Sequence, residues 1–279
     1  MGRVLPWRGE KNPYRILISE VMLQQTQVSR VLQLYPRFLK RFPDFATLKR
    51  ARTSAVIRAW KGMGYNNRAV RLQQLARTVM DQYGGRLPRT IEELQQLHGI
   101  GVYTAHALAC LAFGQNVAVV DTNIKRVLGR LFPAQVEKSD IWTVAEHVLP
   151  NRNAHRWNQA LMDLGATICV SANPKCGVCP VAKLCPSAFR TPRLKALPTK
   201  PEPSRNGVPN RIYRGRIVDA LRHLPNRSFV SSSVLGRKVM ESFTLQDRNW
   251  LEQLMKRLEK DGLVILKKTQ RGYSASLPQ

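Results

Sequence analysis

Four cysteines, Cys169, Cys176, Cys179 and Cys185, fall within seventeen positions, separated by six, two and five residues. Four thiolates that close together share one centre only if that centre is a metal ion or a metal cluster. Zinc sites usually set two C-x-x-C knuckles across a longer loop. Here one short pair is flanked by two single cysteines, a spacing that favours an iron–sulfur cluster and leaves zinc as the alternative. Pro174 and Pro180 stiffen the turns, and Lys175 and Lys183 set positive charge beside the cluster, where it suits phosphate. The fifth cysteine, Cys110, lies in the apolar run 105–113 and reads as a core residue.

Two carboxylates stand out next. Glu20 has Ile16, Leu17, Leu23 and Gln24 as its helical neighbours three and four positions away, which places it on or beside an apolar face. Burial there would raise its pKa toward that of a general acid, while a carboxylate paired with arginine at the rim of the core is the plainer reading. Asp121 follows the apolar run 117–120 and precedes Lys125, Arg126 and Arg130, so on its own it reads as a helix cap. Between the two carboxylates, Gly99 and Gly101 bracket Ile100 in a turn between helical segments. Glycines so placed leave backbone N–H groups exposed at a helix start, a nest for phosphate, although such a turn also serves as a simple connection.

The elements that must position these groups are mostly helices. Asn12 followed by Pro13 is a cap and first-turn proline. Periodicity then predicts helices at 28–39, 54–60, 67–83, 91–97, 102–113, 122–131, 140–149 and 154–168. Five prolines between 192 and 209, set among Lys, Arg, Ser and Thr, read as a linker. Beyond it, helices at 212–224 and 248–260 and two strands around Gln270–Gly272 suggest a small winged-helix module, equally suited to DNA contact or to packing.

The 279 residues carry 45 Lys and Arg against 18 Asp and Glu, a net charge of +27, far more than solubility needs. A polyanionic partner is implied. The mean hydropathy of −0.29 fits a soluble globular chain, and without a long apolar stretch or an export signal the membrane and secretion readings fall away. The odd cysteine count then suits a reducing compartment.

These features together resemble the helix-hairpin-helix (HhH-GPD) DNA glycosylase superfamily, over residues 5 to about 186. The segment 5–8 and the segment 13–27 look like the entry motif of its MutY-type adenine glycosylases; 97–105 is similar to the hairpin, 120–123 to the catalytic aspartate motif, and 158–166 to the approach to the cluster loop. The resemblance implies a mainly α, two-lobed fold: residues 1–27 with 132–186 as a cluster lobe and 28–131 as a six-helix barrel, with 187–210 the linker and 211–279 the winged-helix-like α/β module. It implies a 4Fe-4S cluster on the four cysteines and DNA across the groove, with the target base flipped out. Glu20 would be the general acid and Asp121 the group that stabilises the sugar cation. Trp7 and Arg8 would line the base pocket, Leu23 and Gln25 would fill the vacated stack, and Tyr65 would wedge beside the opposing base. Gly99, Gly101, Lys125 and Arg126 would hold phosphates. Bifunctional relatives carry a lysine where this chain has Tyr103, eighteen residues before Asp121, so no β-lyase step is expected.

Departures from the family pattern are His98 in the hairpin, Asn66 after Tyr65, Thr122 after the aspartate, and a winged-helix candidate where adenine glycosylases carry an 8-oxoguanine-reading domain. The expected function is excision of adenine mispaired with 8-oxoguanine or guanine by a monomeric cytoplasmic enzyme, nucleoid-associated if bacterial or archaeal. The rivals are a G:T or G:U mismatch glycosylase and a non-catalytic DNA-damage-binding protein.

Overall fold

The computed structural model describes residues 2–190 and 202–279. Asn12 accepts from the backbone N–H groups of Tyr14 and Arg15 (3.0 and 3.3 Å) and opens α1 (Pro13–Leu23). There follow α2 (Val28–Arg41), α3 (Phe45–Arg50), α4 (Thr53–Ala59), α5 (Asn67–Gln82), α6 (Ile91–Gln96), α7 (Val102–Leu111), α8 (Thr122–Leu131), α9 (Pro133–Lys138), α10 (Ile141–His147) and α11 (Ala154–Thr167). The cysteine loop holds two short 3-10 turns, Cys176–Val178 and Ala182–Leu184. The hairpin β1 (Ser204–Arg205) and β2 (Val208–Pro209) precedes α12 (Asn210–Arg222), β3 (Val230–Ser231), α13 (Ser232–Val239), α14 (Arg248–Lys260), β4 (Ile265–Thr269) and β5 (Gly272–Ser276). Among the described residues no helix is long and apolar enough to cross a membrane.

Every helix expected from periodicity is present, within a few residues at its ends. The additional ones are α3, α9 and α13, of six to eight residues. Their caps were readable: Asp44 accepts from Thr47 N–H at 2.7 Å, and Pro133 begins α9. The expected linker is corrected over 204–210, where the chain forms the β1–β2 hairpin and starts α12; residues 191–201 lie outside the described residues. Asn206 and Gly207 adopt φ of 50° and 74°, the turn that an Asn-Gly pair favours between antiparallel strands.

The chain packs as two compact units, Met1–Glu20 with Leu87–Leu197 and Val21–Arg86 with Pro198–Gln279, boundaries that differ from the expected 27/28 and 131/132. In the first unit α7 is apolar around most of its circumference and buried accordingly, Cys110 included. Ile124, Val127 and Leu128 of α8 form a core with Leu161 of α11.

In the second unit the C-terminal module, three helices and an antiparallel sheet of order β3-β5-β4, shares its core with the N-terminal half. Ile57 of α4 and Val70 of α5 are buried among Ile217, Leu221, Leu258 and Leu263. Arg58 donates to the carbonyls of Arg222 and Leu224 (3.0 and 2.8 Å), and Arg222 donates back to Ile57 O (3.1 Å) and Asn66 Oδ1 (2.7 Å). Ser54 N–H bonds Pro278 O at 2.9 Å. The module is thus an integral part of this unit.

Candidate active site

Glu20 lies in α1 on the side that buries Ile16 and Leu17, and is itself only 5 % exposed. Tyr103 donates to it, its hydroxyl bonding Oε2 at 2.8 Å. Tyr103 stands in the first turn of α7, directly after the turn in which Gly99 takes a φ of 90° and Gly101 caps the helix without a side chain. Burial pushes the Glu20 carboxyl up to about 7; the Tyr103 hydrogen bond opposes the rise and the charge of Asp121 adds to it. Burial also raises the Tyr103 phenol well above its usual value, with Glu20 and Asp121 reinforcing it. A carboxyl poised near neutrality beside an aspartate can give and take a proton at physiological pH.

Asp121 does cap α8: Oδ1 accepts from Ile124 N–H at 2.6 Å, and Oδ2 accepts from the Asn123 amide at 2.8 Å. Asn123 is held in turn by Arg126 (2.8 Å), and Gly165 of α11 packs against it so closely that a Cβ there would lie 2.6 Å from the Asn123 Cβ. Arg126 is expected at phosphate, and in the structure its side chain bonds within the chain. Its guanidinium is committed to Asn123 and to the carbonyls of Gly165 and Cys169 (2.6 and 2.7 Å), so it braces the aspartate and the cysteine loop. Lys125, Gly99 and Gly101 are exposed.

Trp7 is partly exposed. Arg8, expected in a base pocket, forms a bidentate pair with Asp163 of α11 (2.5 and 2.6 Å), which also accepts from Arg3. Its guanidinium anchors the N-terminal segment, with two N–H groups facing a carboxylate.

Leu23, Gln25 and Tyr65 belong to the second unit. Gln25 and Tyr65 both hold positive φ (54° and 41°), unusual for residues with a Cβ, and Tyr65 is 53 % exposed. Both loops are tied by Arg68, which is 7 % exposed. It donates to the carbonyls of Val21, Met22, Gln24, Met63 and Gly64, to Tyr65 O and to Thr26 Oγ1. Sequence reasoning missed this residue. The available signal was an arginine on the buried stripe of α5, in line with Leu72, Leu75 and Val79.

The four cysteines are unpaired and line one cavity with Arg130, Pro174 and Lys175. Arg130 donates to Cys169 Sγ (3.3 Å) and to the carbonyls of Val170 and Ser171 (2.8 and 2.9 Å), while its Nε is buried without a partner. Among the described residues no three His, Cys, Asp or Glu converge as ligands of a single ion.

Fold and site define a helix-hairpin-helix protein with a buried acid beside a capping aspartate. A family model described as HhH-GPD superfamily base excision DNA repair protein matches residues 18–146. The chain is 35 % identical over 267 residues to an adenine DNA glycosylase of Mycolicibacterium smegmatis, covering 94 % of this chain and 88 % of that one. It is 39 % identical to the adenine DNA glycosylase of Buchnera aphidicola, over 66 % of this chain and 54 % of the other. A solved thermostable thymine-DNA glycosylase superposes with a TM-score of 0.63 at 37 % identity, over 66 % of this chain and 88 % of that chain. The chain belongs to the HhH-GPD superfamily of base excision DNA repair proteins. It spans about half the length of the first adenine glycosylases it matches, including 42 % of the Mus musculus protein.

Proposed function

We propose that this chain is a monofunctional DNA glycosylase that removes adenine mispaired with 8-oxoguanine or guanine. The observation that carries the reading is the buried Glu20 carboxyl, held at about 7 between Tyr103 and Asp121. The glycosidic bond is out of reach within the stack, so the adenosine must first be flipped out. Glu20 in its protonated form donates to a ring nitrogen of adenine as the C1′–N bond breaks, and the base leaves neutral with the bonding electron pair. The Asp121 carboxylate stabilises the cationic sugar left behind. Water then adds at C1′ and gives its proton to the Glu20 carboxylate, which restores the acid. A phenol at position 103 forms no Schiff base with the sugar aldehyde, so no β-lyase step follows.

Trp7 contacts the flipped base; Leu23, at the end of α1, and Gln25 and Tyr65, on loops tied by Arg68, enter the duplex. The Gly99–Gly101 turn and Lys125 hold phosphates, which positions the duplex without reading its sequence. Cys169, Cys176, Cys179 and Cys185 hold a 4Fe-4S cluster. A four-thiol set around one cavity, with an orphaned Arg130 N–H beside it, suits a cluster with sulfide acceptors. When bound, the cluster cross-links the loop through four metal–thiolate bonds.

The likeness to a thymine-DNA glycosylase structure favours thymine as the second reading. Duplexes with A opposite 8-oxoguanine or guanine, and with T or U opposite G, separate the two. Release of adenine alone is expected; release of T or U with adenine untouched overturns the choice.

A further inference from the structure

The C-terminal module does more than complete a core. An open cleft of about 640 Å3 runs between it and the loops of the N-terminal half of the same unit, a size that holds nucleotide-sized ligands. One wall carries Arg30, Tyr65 and Asn66; the other carries Arg211, Arg214 and Arg216 of α12. We infer that this cleft is a second backbone-binding site for duplex DNA, with Arg211 and Arg214 on phosphates beside the loop that presents Tyr65. This rests on the glycosylase reading for the identity of the polyanion.

Three observations carry it. The two walls are tied together: Arg222 bonds both Ile57 O and Asn66 Oδ1, so α12 is held directly against the residue next to Tyr65. The charge of the cleft is predominantly positive. The acidic side chains on its walls are Asp219, already paired with Arg222 at 2.5 Å, and Asp261 at the end of α14, against four arginines. Its chemistry is that of a backbone groove: guanidinium groups suit phosphate, and an exposed aromatic ring beside them suits an unstacked base. Two of the arginines are partly engaged, Arg30 with Gly62 O (2.7 Å) and Arg216 with Val239 O (2.9 Å). Arg211 pairs with the partly exposed Glu202, a bond that phosphate can displace, and Arg214 is in no ion pair among the described residues. A basic surface of the module away from the cleft is its wing, with exposed Lys267 and Lys268 on β4. Neither lysine lines the cleft.

The test is binding of the full chain to a labelled, undamaged duplex across a salt series. Arg211→Gln with Arg214→Gln is compared with Lys267→Gln with Lys268→Gln. Every phosphate left without its cation lowers the slope of log K against log salt by about 0.9, so the cleft variant should drop by about 2 in slope and bind on the order of a hundredfold more weakly at 0.1 M salt. The wing variant should change far less. Equal weakening in both, weakening in the wing variant alone, or no change in either overturns the proposal. If the double variant melts lower than wild type, the single Arg214→Gln should still drop by about 1 in slope. Excision plays no part in this readout. A wild type that binds duplex but releases no adenine therefore sinks the enzymatic reading and leaves the cleft standing.

Discussion

The Tyr103 hydroxyl and the Glu20 carboxyl, 83 positions apart in the chain, meet at 2.8 Å across two helices. The bond favours the ionised acid, yet burial outweighs it and keeps Glu20 near 7. If protonated Glu20 drives excision, kcat/KM should be level below pH 6 and fall about tenfold per pH unit well above 7. Tyr103→Phe removes the opposing bond, so the falling limb should move to higher pH. An unmoved limb would mean that another group sets it.

The same shift has a sign for stability. The folded state holds the Glu20 proton more tightly than the unfolded chain, whose carboxyl titrates near 4.5. Stability is therefore lost as pH rises from about 4.5 through 7, by about 3 kcal/mol in all. Glu20→Gln should abolish excision and raise the denaturation midpoint above pH 7, with the gain gone below pH 5. Urea titrations at pH 5 and pH 8 check both halves.

Asp121 is both cap and candidate catalyst, and Asn separates the roles. Asparagine caps a helix as well as aspartate does, so Asp121→Asn should keep stability within about 1 kcal/mol and keep DNA binding. Single-turnover excision should fall on the order of a thousandfold, since the stabilising charge is gone. Parallel loss of binding and excision would make the residue structural.

Gly165→Ala tests the brace behind Asp121. A methyl group 2.6 Å from the Asn123 Cβ must push Asn123 aside, at about 1–3 kcal/mol of overpacking. Because Asn123 donates to Asp121 Oδ2, kcat should drop more than KM rises. A change confined to thermal stability would show that the aspartate keeps its place.

Arg68→Met and Arg68→Lys should both destabilise, by about 3–5 kcal/mol for the methionine variant, because buried carbonyls lose their donor. Lysine offers a compact point charge where a planar fork is needed. Urea denaturation measures the loss, and a cost under about 1 kcal/mol would mean that water replaces the guanidinium.

Purified protein should contain iron and acid-labile sulfide and absorb at about 400 nm, and Cys179→Ser should lose all three. Stoichiometric zinc in their place would overturn the cluster.

Sequence by itself determined the helical class, most helix positions, the cysteine set and Asp121 as a cap, because each rests on local spacing: a 3.6-residue repeat, a cap beside its own helix, thiols within seventeen positions. It also singled out Glu20, since an acid on an apolar stripe is visible without a partner. Tertiary structure decided which charges are spent inside. Arg8, Arg68 and Arg126 look like any others among 45 basic residues, and each is bound to carboxylates or carbonyls, mostly from distant segments. The docking of the C-terminal module was equally hidden, because it depends on Ile57 and Val70 sharing a core with residues more than 140 positions away. Local pattern is carried by neighbours in the chain; burial and pairing of charge are carried by neighbours in space.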